Sequence, residues 1–332
     1  MKVAVVGATG AVGQTMLAVL GESGLGVEQL GAFAQRAHSE ELRFRGRPVD
    51  VQPASDALLS AYDVVFFAGG DVASRQYVPS LLRRGAVVID NSAAYRLAQG
   101  VPLVVPEINP DVVGAGDRLF PVGNCTAIIL CMALEPIRAI AGLRSVYVAT
   151  YQAASGAGRA GLEELAAGER ALVYGEAEPV GVVFPAGLAR NVVPQVGALA
   201  AGGWSDEEEK VAQETRKVLG VPDLRISATC VRVPVRTAHA EAVFLTTQES
   251  TSVEALGERL ARAPGLRFHV AGIVTPREVE GSDLVHVARL RAQDSSGRRF
   301  ALWAVGDQLR KGAATNAVQI LQLLVAKGFV RA

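Results

Sequence analysis

The apolar positions change rhythm about a third of the way along the chain. Residues 3–6 form a short unbroken apolar run that stops at Gly7, and residues 11–20 repeat at helical period, so the chain opens strand, turn, helix. Further apolar runs at 30–34, 64–68 and 86–89 lack polar alternation, and 72–84 reads as a helix between the last two. Strands apolar on both faces and separated by helices predict a parallel sheet covered on both sides, the doubly wound nucleotide-binding pattern. Beyond about Gly123 the runs lengthen, and those at 145–153, 224–233, 241–247 and 284–291 predict an antiparallel sheet facing helices. The expected class is α/β with a first domain over 1–123 and 307–332, where a last helix at 307–326 returns, and a second, α+β domain over 124–306. Residues 172–195, rich in Gly and Pro with little periodicity, read as a long loop. In a compact domain such loops go with binding or with a subunit contact.

Composition narrows the function classes. At 332 residues the chain exceeds a single domain of ordinary size. Lys and Arg number 33, as do Asp and Glu, so no global field draws in nucleic acid or an anionic membrane, and a small molecule or a protein is the expected partner. Half of the residues are apolar, yet runs such as 61–70 fall short of the roughly 20 residues that span a bilayer. Met1-Lys2 leads directly into a strand without a small-residue cleavage site, so no signal or transit peptide and a cytoplasmic location are expected. Three cysteines without paired or zinc-like spacing predict neither a disulfide framework nor a metal site.

Two segments carry candidate chemistry. Gly7-Ala8-Thr9-Gly10-Ala11-Val12-Gly13 follows a strand and opens a helix. Its G-x-x-G-x-x-G spacing differs from the commoner dinucleotide fingerprint, but the chemistry is the same: glycines let backbone N–H groups approach a pyrophosphate at the positive end of a helix. After the second strand no carboxylate awaits a ribose 2′-hydroxyl; Arg36 stands there, and it suits a 2′-phosphate. A solvated surface arginine is the competing reading of Arg36. Cys125, within Gly123-Asn124-Cys125-Thr126, lies at or beside the start of an apolar helix over 127–139, where the helix dipole favours a thiolate and free N–H groups can hold an oxyanion. Cys131 and Cys230 sit inside apolar elements and read as core. Of His38, His239, His269 and His286, the one favoured as a proton-transfer partner is His239, which lies between two strand-like runs with Arg232 and Arg236 nearby.

Taken in order, the Gly7–Gly13 loop, Asn124-Cys125-Thr126, Tyr151-Gln152-Ala153-Ala154-Ser155-Gly156-Ala157-Gly158, the stretch from Arg232 to His239, and Asp307-Gln308-Leu309 resemble segments of bacterial aspartate-β-semialdehyde dehydrogenases over nearly the whole chain. The resemblance implies a Rossmann-type NADP domain and a catalytic and dimerisation domain like that of glyceraldehyde-phosphate dehydrogenases. It also implies a homodimer and the reduction of β-aspartyl phosphate to aspartate semialdehyde, with release of phosphate, on the way to lysine, threonine, methionine and diaminopimelate. Residue by residue, it makes Cys125 the thioester-forming nucleophile, His239 the acid/base and Gln152 the group that orients the acyl carbonyl. Arg232 would hold the substrate carboxylate and Glu207 its ammonium, with Lys210 and Arg96 on phosphate. Gly7, Thr9, Gly10, Ala11, Val12, Arg36, Ser155, Gly156 and Gln308 fall at cofactor positions. The chain departs from the family pattern at Ala34 and Ala37, where serines usually flank the 2′-phosphate arginine.

Without the resemblance, Glu207 and Lys210 read as an exposed helical i,i+3 ion pair and Arg96 as a surface charge. Two other functions compete. An N-acetyl-γ-glutamyl-phosphate reductase runs the same chemistry on an acylated amine, which has no use for a carboxylate such as Glu207. A non-catalytic NADP-binding relative would keep the fold and lose the chemistry.

Overall fold

The computed structural model describes residues 1–35, 41–178 and 181–331. The chain folds into two compact units, Met1–Asn124 with Gly312–Ala332, and Cys125–Lys311.

In the first unit β1 (Lys2–Val6), α1 (Ala11–Glu22) and β2 (Gln29–Ala34) are followed by a hairpin of β3 (Leu42–Phe44) and β4 (Arg47–Val49) that the apolar pattern does not announce. Then come β5 (Val51–Pro53), the single turn α2 (Asp56–Leu59), β6 (Val64–Phe67), α3 (Asp71–Arg83), β7 (Val87–Asp90) and β8 (Leu119–Pro121). The strands form a parallel sheet in the order β5-β2-β1-β6-β7-β8. The chain thus winds outward in one direction from β1 and in the other from β6. In open α/β sheets the crevice beyond the carboxyl ends at such a reversal is where ligands bind. The strand interiors explain the stability of this frame: Val65, Phe67, Val88 and Phe33 are buried together with Val78 and Leu81 of α3.

The second unit holds α4 (Cys125–Ala141), β9 (Ser145–Gln152), α5 (Gly158–Tyr174), α6 (Asp206–Leu219), β10 (Arg225–Arg232), β11 (His239–Thr246), α7 (Val253–Ala261), β12 (Leu266–Phe268), α8 (Pro276–Val279), β13 (Val285–Ala292) and β14 (Arg299–Gly306). Its sheet, ordered β10-β9-β11-β14-β13-β12, is mixed, which corrects the antiparallel expectation. β9 and β10 are parallel, as are β12 and β13, because a crossover containing a helix returns each second strand in the direction of the first. The remaining pairings are antiparallel. Helix α5 also claims residues 172–174 of the expected loop. The described residues after it are irregular, apart from a bridge that Val193 makes to Arg232.

After β14 the chain remains in the second unit through residue 311, five residues beyond the boundary read from sequence. Asp307 and Gln308 are held there, the carboxylate accepting the Gly281 N–H at 2.7 Å and the amide oxygen the Ala238 N–H at 2.7 Å. A π-helical turn, Arg310–Ala314, leads into α9 (Thr315–Ala326), which packs on α1 and β7 of the first unit. Among the described residues no helix is long and apolar enough to cross a membrane.

Candidate active site

Strand alternation assembles the polar cluster of the second unit. Inward positions of β9 are Val146, Val148, Thr150 and Gln152, and those of β10 are Ile226, Ala228, Cys230 and Arg232. Because the two strands run parallel in register, their last inward residues, Gln152 and Arg232, stand side by side. β11 runs antiparallel to β9, so its first residue, His239, arrives at the same end of the sheet. All three side chains are buried. Polar groups at the end of an apolar sheet face are costly unless hydrogen-bonded: Arg232 and His239 bond the backbone of Ala153, and the Gln152 amide nitrogen bonds the side chains of Thr126 and Glu207.

Cys125 is the first residue of α4 and is partly exposed, whereas Cys131 and Cys230 are buried and burial pushes their thiols up. Thr126, beside the thiol, receives a hydrogen bond from Gln152 Nε2, which also donates to Glu207 Oε1 at 3.0 Å. Gln152 Oε1 is buried with no hydrogen-bond partner among the described residues. Glu207 therefore turns toward the sheet end and Gln152. Lys210, one turn along α6, is partly buried. The helix starts with a capping box in which Ser205 accepts the Glu208 N–H and Glu208 accepts the Ser205 N–H, while the other Glu208 oxygen accepts the Cys230 N–H at 3.0 Å.

Arg232 donates from Nη1 to the Ala153 carbonyl at 2.6 Å. Burial pulls it below the ordinary arginine range, and the nearby Glu207, Cys125 and Cys230 oppose that shift. His239 accepts the Ala153 N–H on Nδ1 at 3.1 Å, which leaves the proton of a neutral ring on Nε2. Burial first, then the Arg232 charge, hold its pKa well below the usual histidine range, so the ring is neutral near pH 7. A Cβ on Gly156 would stand 2.7 Å from Arg232 Nη1 and 3.1 Å from His239 Nε2, so the absent side chain is what lets these groups meet there. Ala238, immediately before His239, has φ of +68°, a strained conformation for a residue with a side chain. The Gln308 amide holds it by taking its N–H, and Gln308 in turn donates to Ser155. Ser155 and Gln308, expected at the cofactor, thus also brace the backbone of His239.

The first unit provides a cleft of about 520 Å³ at the carboxyl ends of its central strands, lined by Gly7, Thr9, Gly10, Gln35, Gly69 and Gly70 among others. Gly7 has φ of +85°, and a Cβ there would stand 2.8 Å from Gly69 N, so two glycine turns close on each other only without side chains. Helices α1 and α3 both start after a glycine that lines the cleft, Gly10 and Gly70, and neither glycine supplies a side-chain cap for the first-turn N–H groups that follow, such as those of Ala11 and Val12. The shape and the donors fit a dinucleotide phosphate. Arg36 lies outside the described residues. Arg96 is buried, donating to the carbonyls of Val122 and Asn91, both at 2.8 Å. Its loop is fixed by Asp90, a buried carboxylate that accepts from Ser74 and from the Ser92 N–H and hydroxyl. His269 and His286 stack on each other away from the cluster, with 3.0 Å between ring nitrogens.

Sequence reasoning missed Asp90 in the first unit and Phe184 and Glu241 in the second. Glu241 was legible in principle, since it lies two positions after His239 on one strand and so shares its inward face. Phe184, in the irregular segment, carries no pattern that announces its contact with Arg232.

Models of the semialdehyde dehydrogenase NAD-binding domain and of the semialdehyde dehydrogenase dimerisation domain match residues 2–115 and 134–311. The chain is similar to the aspartate-semialdehyde dehydrogenase of Synechocystis sp., 37% identical over 99% of both chains, and to that of Aquifex aeolicus, 38% identical over 99% of both. Among solved structures, aspartate semialdehyde dehydrogenase II of Vibrio cholerae in complex with ASA superposes with a TM-score of 0.93 at 37% identity, covering 98% of each chain.

Proposed function

The chain belongs to the aspartate-semialdehyde dehydrogenase family, and on that premise we propose that it reduces β-aspartyl phosphate to aspartate semialdehyde through a thioester on Cys125, with NADP as cofactor. The observation that carries this reading is the meeting, in one unit, of a partly exposed thiol at a helix start with Gln152, Glu207, Arg232 and a neutral, buried His239.

Cys125 thiolate attacks the acyl carbonyl and phosphate departs, the carbon–oxygen bond to phosphate breaking as the carbon–sulfur bond forms. The N–H groups of the first turn of α4 stabilise the oxyanion. Gln152, anchored on Thr126 and Glu207, orients the acyl group. Arg232 takes the substrate carboxylate, for which a planar fork of donors is suited, and Glu207 takes the ammonium. Bound NADPH would supply the hydride. The Nε2–H of neutral His239 hydrogen-bonds the tetrahedral oxyanion, which collapses to the aldehyde as the carbon–sulfur bond breaks and the Cys125 thiolate returns; to act as base on the hemithioacetal hydroxyl in the reverse direction, the ring must give up the Ala153 N–H and move its proton to Nδ1. Gly7, Thr9, Gly10, Ala11 and Val12 would hold the pyrophosphate, Arg36 the 2′-phosphate, and Ser155, Gly156 and Gln308 the remaining cofactor contacts. The phosphate roles of Arg96 and Lys210 rest on the family resemblance. Homodimerisation belongs to the same reading and is supported by the dimerisation-domain match and by Tyr147 and Phe244, exposed and paired across β9 and β11.

Absorbance at the nicotinamide band, with aspartate semialdehyde, phosphate and either NADP or NAD, tests the proposal. Signal is expected, with the lower KM for NADP, and Cys125→Ala should abolish it while cofactor binding persists. Appreciable turnover in the alanine variant refutes the covalent scheme, and a clear preference for NAD refutes the cofactor assignment.

A further inference from the structure

We propose that Phe184 is a positioning residue that fixes the plane of the Arg232 guanidinium, making the segment around it a specificity element for the substrate carboxylate. The inference rests on the reading above that Arg232 holds that carboxylate.

The guanidinium carbon lies 5.7 Å from the Phe184 ring centroid, within cation–π range, and both side chains are buried. With little water in the contact, the ring face attracts the cation without consuming any of its N–H donors. Nη1 is already committed to the Ala153 carbonyl, and Gly156 closes in along the same nitrogen. A face contact and an edge contact together fix both the tilt and the rotation of a planar group, so the remaining donors point in one direction. Arginine on a flexible stem has no such preference by itself.

Phe184 is itself held from three sides. Glu164 of α5 accepts the Val183 N–H at 2.6 Å and the Phe184 N–H at 3.2 Å. Leu165, Leu188, Ala189 and Val193 bury the ring with Ala154. The segment returns to the strand it serves: Val193 exchanges N–H to carbonyl bonds with Arg232 at 2.9 and 2.8 Å. An irregular stretch that shares backbone bonds, a ring contact and a hydrophobic cluster with one strand-end arginine is built around that arginine.

Steady-state kinetics with aspartate semialdehyde on Phe184→Leu, Phe184→Tyr, Arg232→Lys and the Leu/Lys double variant tests this. For Phe184→Leu, KM should rise about tenfold, equivalent to about 1.4 kcal/mol, with kcat nearly unchanged. Phe184→Tyr should restore the wild-type KM, and the double variant should be no worse than Arg232→Lys alone. If Arg232→Lys leaves KM unchanged, the carboxylate reading of Arg232 fails. If Arg232→Lys raises KM but Phe184→Leu does not, or Phe184→Leu lowers kcat instead, or the two losses add, this inference alone is overturned. Should Phe184→Leu not fold, as judged by thermal melting, Glu164→Gln, which loosens the same segment, is scored by the same criteria.

Discussion

Two kinds of helix start occur in this molecule. Helices α1 and α3 begin after Gly10 and Gly70, two glycines that line the cleft of the first unit, and have no side-chain cap. Helix α6 of the second unit begins with a reciprocal box of Ser205 and Glu208, and α2 and α7 are capped by Ser55 and Ser252. The first turn of any helix presents N–H groups with no internal acceptor. Where the chain supplies the acceptor, the helix end is finished structure. Where it supplies glycine beside a cleft, the acceptor is left for a ligand to bring, and the helix dipole makes an anion the suitable one.

The sharpest way to break this contrast is to give α1 a cap. Gly10 has φ of −73° and ψ of 166°, open to any residue, and a Cβ there meets nothing closer than the Gly7 carbonyl at 3.4 Å. Gly10→Asp should therefore fold, with the new carboxylate accepting first-turn N–H bonds. It would compete with the pyrophosphate for donors and repel it, a loss of about 2–3 kcal/mol and so roughly 100-fold in NADP affinity. Titration of NADPH fluorescence beside a thermal melt checks it: unchanged affinity would mean that the open end of α1 is not the anion site.

That contrast was half legible from sequence, and the reason is range. The glycine loop is local: strand, turn and helix lie within about twenty residues, and the period of the apolar positions announces each. Cys125 at a helix start could be read the same way. The cluster of the second unit is built from contacts such as Ala153 to His239 and Gln152 to Glu207, which join residues far apart in the chain. The register of β9, β10 and β11, with α6 tied to β10 through Glu208, brings these together, and the period of apolar positions does not carry strand direction. Family resemblance supplied the names of Gln152, Arg232 and Glu207. It did not supply Phe184, whose segment has no period, or Glu241, because β11 was expected to begin at 241 when it begins at His239.

Glu241 extends the comparison to a polar group that no ligand explains. Both carboxyl oxygens are buried without a hydrogen-bond partner among the described residues, and burial holds the pKa well above the ordinary glutamate range. Here the missing partner is a proton. A folded-state pKa above the unfolded value means that this group's contribution to stability is complete below the unfolded pKa and is lost as pH rises toward the folded one. Glutamine cannot ionise, so Glu241→Gln should gain on the wild type by up to about 1.4 kcal/mol per pH unit above the ordinary carboxyl range, levelling off past the raised pKa. Urea unfolding at pH 5, 6, 7 and 8 measures the difference; parallel stability curves would show that Glu241 is ionised in the fold.

The smallest effect is expected at the closed helix end. Ser205 accepts the Glu208 N–H at 3.3 Å, while Glu208 separately ties the Ser205 N–H and, through its other oxygen, the Cys230 N–H of β10. Ser205→Ala removes one acceptor and leaves the carboxylate to hold the helix against the strand, so the cost should be that of a single cap, about 1 kcal/mol. Denaturant unfolding should show a lower midpoint with an unchanged slope. The KM for NADP should not move, because Ser205 and Glu208 close this helix end from within the chain. A fall in NADP affinity without a loss of stability would reverse the assignment and make α6, rather than α1, the helix that its ligand completes.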